Sequence, residues 1–307
     1  MKLVETLNAR GPTSVLDAHV SYHLNAGVDL ILATVRGTQA EAREMLRSFE
    51  RAGYVRVLDA EGEARESDWR TRMARLAATE HGADWVLNAE LDEFWWPRGE
   101  SLKEVLAPIP PRYTVVQGLR RTFVPERGGA EFFAERMTMR RSLDDSDNQG
   151  ERMTDLLRPV HRVDPGAVAR ADGSVLVRRF VPLRAWYPIE VLHFPEVDVE
   201  DVAPPRTGVS LVRDTRLRDA LHVLREPASD DAPGAFALPA PGLLSFPTPD
   251  IVDDAAYAVE CAAVGEVDLP RLEQYIAELE QRIGWLEQRF WPRVLRAGSR
   301  LVQRVRT

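Results

Sequence analysis

The chain has 307 residues, of which 44% are hydrophobic and 29% are charged, and its formal net charge is −8. This composition is typical of globular proteins with a sizeable core, and the acidic balance argues against a protein that binds nucleic acid over a basic surface. Cys261 is the only cysteine, which excludes an intramolecular disulfide and a cysteine-based zinc site. The first residues lack a secretory signal pattern and no apolar run is long enough for a membrane span, so we expect a cytoplasmic protein.

The first 115 or so residues alternate between predicted strands and predicted helices. The strands are predicted at residues 4–7, 28–34, 55–58, 85–89 and 113–117. The helices are predicted to begin at or near the capping residues Ser14, Thr38, Ser67 and Ser101. Such alternation predicts an α/β fold with a mainly parallel sheet flanked by helices. No glycine-rich phosphate-binding loop follows any of these strands, which argues against a dehydrogenase or a P-loop enzyme.

The pattern weakens in the next part of the chain. We predict strands at residues 132–139, 175–181 and 189–194, a surface loop over the proline-rich residues 227–249, and a helix at residues 253–264. The predicted domains are therefore an α/β domain over residues 1–265 and a helical extension over residues 266–307.

The C-terminal extension carries a heptad-like pattern. Its apolar residues alternate at spacings of four and three, as in a coiled-coil seam: they are Leu272, Ile276, Leu279, Ile283, Leu286 and Phe290. Beyond Gln288 every charged residue is arginine, and a basic amphipathic helix can lie on the inner face of an anionic membrane. Self-association or docking of the helix is the favoured alternative, because Pro292 interrupts the helical pattern.

An acidic stretch follows the predicted strand at residues 85–89. Glu90, Asp92 and Glu93 come directly after its apolar residues and precede two tryptophans. Ligands of α/β proteins gather at the carboxyl ends of strands, and divalent cations prefer oxygen ligands. The stretch therefore predicts a metal-assisted nucleotide-sugar site, with a solvated acidic turn as the alternative.

Several sequence blocks point to one family. They are residues 21–34 (SYHLNAGVDLILAT), 68–106 (containing ELDEFWWP), 123–140, 189–195 (IEVLHFP) and 212–221. With these blocks in this order, the chain resembles a bacterial branch of the family 2-like glycosyltransferases, whose metal motif reads Asp-x-Asp-Glu-Phe. The resemblance implies a GT-A fold, a nucleotide-diphosphate sugar donor, a glycan or lipid-linked acceptor at the cell surface, and inversion at the anomeric carbon.

The resemblance also implies a metal site. Glu90 and Asp92 stand at the two acidic positions that bind the cation and the diphosphate, and His193 stands where a further ligand is often found. The expected cofactor is Mn²⁺ or Mg²⁺, because a bound cation stabilises the negative charge that develops on a diphosphate leaving group.

Other residues around the motif are candidates for the donor site or for catalysis. We assign Asn88, Arg70 and Arg72 to the donor site. Arginine presents a bidentate fork that suits a diphosphate, and the alternative for the two arginines is that they are solvated on the helix surface. Asp92 and Glu93 are the catalytic candidates, Glu93 as a base or as a residue that orients the acceptor. Further candidates for the base lie in or near a polar loop: Asp144, Asp145, Asp147 and Asp155. Of Trp95 and Trp96, we expect one to stack on sugar and one to pack in the core.

The chain departs from the family pattern at four places around this site. Glu90 replaces the usual aspartate, residues 9–12 (ARGP) replace an acidic pair, residues 35–37 (VRG) replace an aspartate, and the acidic residues 196–201 replace a basic segment. A second hypothesis is therefore a weakly active or inactive relative that serves as a binding or scaffold subunit. A nucleotidyltransferase on a related sheet is a minor third hypothesis.

Overall fold

A computed structural model describes residues 1–35, 40–59, 65–125, 132–141, 157–169, 175–183, 187–195, 211–225, 236, 238–240 and 242–246. All of them belong to the first of two units, Met1–Ala256. The heptad extension, the predicted helix at 253–264, the polar loop with its four candidate aspartates, the turn at Arg36 and the acidic segment after residue 195 lie outside the described residues. No helix within the described ranges is long and apolar enough to cross a membrane.

The first half of the chain forms the parallel part of one sheet. Its elements are β1 (Leu3–Asn8), α1 (Thr13–Asn25), β2 (Leu30–Val35), α2 (Ala40–Arg51), β3 (Val55–Asp59), α3 (Glu66–Thr79) and β4 (Trp85–Ala89). β1 pairs in parallel with both β2 and β4, and β2 pairs in parallel with β3, so the strand order is β3-β2-β1-β4. The predicted strands of this half are confirmed, because short buried apolar runs between helices suit a sheet that is covered on both faces.

The second half extends the sheet with mostly antiparallel pairs. Its elements are β5 (Glu93–Pro97), α4 (Leu102–Leu106), β6 (Val115–Val124), α5 (Phe133–Arg136), β7 (Met139–Arg141), β8 (Leu157–Arg162), β9 (Val168–Ala169), β10 (Val175–Leu176), β11 (Ile189–His193), β12 (Leu211–Arg213) and α6 (Arg216–Arg225). β8 lies antiparallel between β4 and β6, whereas β11 runs parallel to β6 and antiparallel to β5. A mixed sheet flanked by helices confirms the predicted α/β fold class.

Three local predictions are wrong. Residues 132–139 contain the helix α5 rather than a strand, because Phe133 and Ala134 turn one apolar face inward and short apolar runs do not distinguish helix from strand. Within residues 175–181 the strand is limited to β10. Ser14 lies inside α1, whose N-cap is Pro12 without a side-chain hydrogen bond.

Helix α1 is buried on almost all sides, which explains its unusual polar residues. Its residues from Leu16 to Leu24 are all buried, and α1 contacts β5, α2 and α6. His19 and His23 lie in this buried part, so their ring nitrogens need partners inside the protein. Those partners are the Glu5 carboxylate and backbone atoms in and just after the acidic stretch.

Candidate functional site

The acidic residues form a tight turn between two strands. β4 ends at Ala89 and β5 begins at Glu93, and the Glu93 amide donates to the Glu90 carbonyl oxygen at 3.1 Å. The amide of Phe194, just after β11, donates to the Asp92 carbonyl oxygen at 2.8 Å. Because β11 pairs with β5, the turn is held between the parallel half and the second half of the sheet.

A cavity of about 380 Å³ opens over this turn. On the side of the parallel strands it is lined by Asn8 at the end of β1, by Arg10, and by Glu90 and Asp92 in the turn. Its other side is formed by the second half of the chain, with Phe133, Arg136, Met137 and Phe194. The cavity therefore has a polar flank at the carboxyl ends of the parallel strands and a flank that combines apolar side chains with one arginine.

Glu90 is held by an arginine from α3. The Arg70 guanidinium donates to Glu66 Oε1 at 2.6 Å and also donates to Glu90 Oε1. Burial alone would lower the pKa of Arg70, but Glu90 and Glu66 raise it above its usual value. Arg70 thus lies next to the turn and compensates the charge of Glu90.

Asp92 and His193 lie side by side. Their Oδ2 and Nε2 atoms are 3.2 Å apart, and the Arg120 guanidinium lies 2.6 to 2.8 Å from the two ring nitrogens of His193. Burial acts to raise the pKa of Asp92, but the hydrogen bond and charge of His193 and the charge of Arg120 lower it overall. Asp92 is therefore ionised at neutral pH, and its carboxylate faces the cavity.

Of the predicted site residues that the structure describes, only Glu90 and Asp92 line the cavity. Glu93 is 1% exposed and accepts a hydrogen bond from Arg158 Nε at 2.6 Å. Asn88 is buried in β4, where its Oδ1 accepts a hydrogen bond from Thr6 at 2.7 Å. Arg72 is exposed on α3, with its guanidinium 5.2 Å from the ring centre of Trp69.

Neither of the paired tryptophans is available to stack on a sugar. Trp95 is 0% exposed and Trp96 is 3% exposed, because β5 is covered on both faces. Trp96 packs with Phe246, and the Arg216 guanidinium lies over its ring. Both residues belong to the core, contrary to the expectation that one of them would form a platform.

A buried network of one carboxylate and two imidazoles supports the turn from below. His19 Nδ1 lies 3.0 Å from the carbonyl oxygen of Leu91, in the middle of the turn, and His19 Nε2 lies 2.6 Å from Glu5 Oε1. His23 Nδ1 lies 3.4 Å from Glu5 Oε2, and His23 Nε2 accepts a hydrogen bond from the Trp95 amide at 3.1 Å. Burial raises the pKa of Glu5 and strongly lowers that of His23. The residues on β1 and α1 thus fix the position of the backbone between Glu90 and Asp92.

This network is the only group of three metal-ligating side chains with converging ligand atoms among the described residues. Its hydrogen bonds do not suit a metal. Because His23 Nε2 accepts the Trp95 amide hydrogen, the proton of the neutral ring is on Nδ1, the atom that faces Glu5. A metal ligand must present an unprotonated nitrogen.

Asp92 and His193 are spaced like two ligands of a divalent cation, although Nε2 donates its hydrogen to Asp92 and would have to release it before it binds a metal. Two neighbouring ligands at about 2.1 Å from one cation lie about 3 Å apart, close to the separation of Asp92 Oδ2 and His193 Nε2. Glu90 does not join them, because its carboxylate is bonded to Arg70. The chemistry of the site therefore suits a cation that takes two protein ligands, with water and a phosphate as the others.

Comparisons with known proteins give only remote similarities. No protein-family model and no curated protein matches the chain. Among solved structures, residues 1–349 of TarS from S. aureus in complex with UDP are 12% identical, with a TM-score of 0.37 over 62% of this chain and 60% of that structure. Glucosyl-3-phosphoglycerate synthase from Mycobacterium tuberculosis is 15% identical, with a TM-score of 0.29 over 39% of this chain and 44% of that structure.

A nucleotidyl transferase from Methanothermobacter thermautotroptrophicus is 20% identical, with a TM-score of 0.26 over 43% of this chain and 66% of that structure. The chain thus spans less than two thirds of each of these three structures. At these TM-scores, the similarities assign neither an activity nor a substrate to this chain.

Sequence reasoning missed several residues of the site. Arg120 lies on the part of β6 beyond the predicted strand end at residue 117. Arg136 was placed in a predicted strand, and Arg10 was noted only as a departure from the family pattern. His19 lies on α1, and its spacing in the sequence gives no signal for a partner 72 residues away.

Proposed function

We propose that the protein is a glycosyltransferase that moves a sugar from a nucleotide-diphosphate donor to a hydroxyl group of a glycan or lipid-linked acceptor, with inversion. The observation that carries this proposal is Asp92, which lines a cavity over the carboxyl ends of the parallel strands and is paired with His193 behind it. Open α/β sheets bind nucleotides at this edge. The sequence blocks that resemble family 2-like glycosyltransferases support the same reaction.

The donor is proposed to lie on the flank of the parallel strands. Asn8 follows the apolar part of β1, and Asn8 and Arg10 border the cavity next to the turn. A nucleotide on this flank would place its diphosphate between Arg10 and Asp92. Arg70 would contribute positive charge behind Glu90, whose carboxylate it orients.

Asp92 and His193 would hold the proposed Mn²⁺ or Mg²⁺. When bound, the cation would supply Lewis-acid stabilisation of the leaving diphosphate. The protein's own contribution is to keep Asp92 ionised and His193 in place, because Arg120 contacts both ring nitrogens. Glu93 has a positioning role in this proposal, since it is buried and paired with Arg158.

An inactive binding or scaffold protein is the second candidate, and one observation favours it. Both acidic residues of the turn already have basic side chains as partners: Glu90 has Arg70, and Asp92 has His193. If these pairs persist in the presence of nucleotide, the site cannot take up a cation and a diphosphate.

The two candidates are distinguished by calorimetric titration of UDP- and GDP-sugars, with and without Mn²⁺. We expect one donor to bind in a metal-dependent manner to the wild type, at least tenfold more weakly to Asp92→Ala, and unchanged to Glu44→Ala, which removes an exposed carboxylate on α2. A wild type that binds no donor under either condition would favour the scaffold. Donor binding that Asp92→Ala leaves intact would contradict the assignment of the site.

A further inference from the structure

The carboxylates and the arginines that line the cavity differ in whether they have a side-chain partner. Glu66 and Glu90 share the guanidinium of Arg70, and Asp92 is paired with His193. The carboxylates that line the cavity therefore all contact an arginine or a histidine. Within the part of the chain that the structure describes, each of these carboxylates has such a partner.

Two arginines line the same cavity without a partner. Neither Arg10 nor Arg136 has a hydrogen bond or an ion pair with a side chain in the described part of the chain, and the Nε atom of Arg136 is buried without a hydrogen-bond acceptor. Leaving a buried donor unsatisfied costs about 1–3 kcal/mol. An anionic ligand would therefore satisfy the guanidinium of Arg136.

The two arginines come from different halves of the chain. Arg10 follows β1 on the flank of the parallel strands, where the proposed donor binds. Arg136 ends α5 in the second half of the chain, where Phe133, Met137 and Phe194 form an apolar wall with 7%, 3% and 4% exposure. A donor diphosphate bound at Asp92 and Arg10 would leave the part of the cavity at Arg136 for the acceptor.

We infer that the acceptor carries a phosphate or carboxylate group, that Arg136 binds this group, and that the apolar wall packs against the carbon skeleton beside it. This inference rests on the proposed function, because it needs the donor on the flank of Arg10. It narrows the acceptor to an anionic hydroxyl compound and makes Arg136 a specificity-determining residue. A neutral glycan would leave the guanidinium without an acceptor.

The test uses the full chain and three small probes: glycerol 3-phosphate, glycerate and neutral glycerol. Each is titrated calorimetrically into protein saturated with UDP or GDP, whichever binds, and also into protein without nucleotide. The variants are Arg136→Gln, Arg136→Lys, which keeps the charge, and Arg47→Gln, which removes an exposed arginine on α2 as a control.

We expect at least one of the two anions to bind to the nucleotide-loaded wild type and to Arg47→Gln, and glycerol not to bind. Arg136→Gln should weaken binding of the anion at least tenfold, Arg136→Lys should restore part of it, and neither should change the affinity for the nucleotide. The preferred anion distinguishes a phosphate from a carboxylate.

Three results would overturn the inference: equal anion affinity in wild type and Arg136→Gln, binding of glycerol as tight as that of the anions, or a loss of nucleotide affinity in Arg136→Gln that would place this residue at the donor. Failure of the proposed function has a different signature. In that case no nucleotide binds to the wild type, while the probe titrations without nucleotide still show whether Arg136 forms an anion site.

Discussion

Replacement of His19 by leucine should be among the most destabilising single changes in the described part of the protein. The side chain is fully buried and links Glu5 Oε1 at 2.6 Å to the carbonyl oxygen of Leu91 at 3.0 Å. His19→Leu leaves both oxygens buried without this donor. Each buried group that is left without its hydrogen-bond partner costs about 1–3 kcal/mol, and here two groups lose theirs. We therefore expect a loss of at least about 2 kcal/mol in the free energy of unfolding.

Urea denaturation measures this loss, and a double-mutant cycle assigns it to the pair. Glu5→Leu alone should also be strongly destabilising, because it leaves His19 Nε2 unpaired. The double variant should be less destabilised than the sum of the two single variants by about 2 kcal/mol, since no polar group of the pair then remains. A loss below about 1 kcal/mol for His19→Leu, or additivity within about 0.5 kcal/mol, would refute the network.

The same network has a consequence for the site. Glu5→Gln keeps a hydrogen-bonding group opposite His19 and should cost only about 1 kcal/mol. If the network positions the turn, affinity for the nucleotide-sugar should fall more in His19→Leu than in His23→Leu, because His23 bonds to Trp95 and not to the turn. Equal affinities in the two folded variants would limit the network to a role in stability.

Further predictions concern the sheet, the pH dependence and the C-terminal extension. Gly118→Ala should lower the free energy of unfolding by about 1–3 kcal/mol in urea, because a Cβ atom there would lie 2.8 Å from Val191 Cγ2; unchanged stability would contradict this packing. Burial lowers the pKa of His161 below 6.5, although the Arg162 carbonyl group and Asp164 oppose this. Below pH 6.5 the unfolded chain therefore binds a proton that the folded protein does not, and stability should fall by up to about 1.4 kcal/mol at pH 5.5. The fall should be smaller in His161→Gln, and an equal slope would contradict the assignment. Truncation before residue 269 should lower the mass in solution if the heptads assemble the protein, and an unchanged oligomer would contradict that prediction.

The parallel half of the fold could be predicted because its strands are continuous apolar runs between helices with clear starts and ends. The acidic turn could be predicted for the same reason, since it directly follows the buried strand β4. The second half was harder. β5 (EFWWP) ends in a proline, and β8 (LRPVHR) mixes charged residues with a proline, which favours edge strands. Among the described strands β8 pairs on both sides, with β4 and β6, whereas β5 pairs with β11, and only these partner strands show that β5 and β8 belong to the sheet.

The contacts of the site could not be predicted from spacing. Glu5, His19 and Leu91 come from β1, α1 and the turn, and only the packed fold brings them together. Arg120 reaches His193 because β6 pairs with β11, a pairing between segments 73 residues apart. The acidic residues can be identified from the sequence, whereas the basic side chain that contacts each of them can be identified only from the fold.

The central claim is that the cavity over the acidic turn binds a nucleotide donor. Methionine methyl groups report on this directly, because Met137 lines the cavity and Met45 is buried on α2 away from it. In protein labelled at the methionine methyl groups, titration with the nucleotide-sugar and Mg²⁺ should shift the Met137 signal and leave the Met45 signal unchanged, and Asp92→Ala should abolish the shift at the same concentrations. A bound donor that leaves Met137 unchanged, or that shifts Met45 instead, would contradict the account.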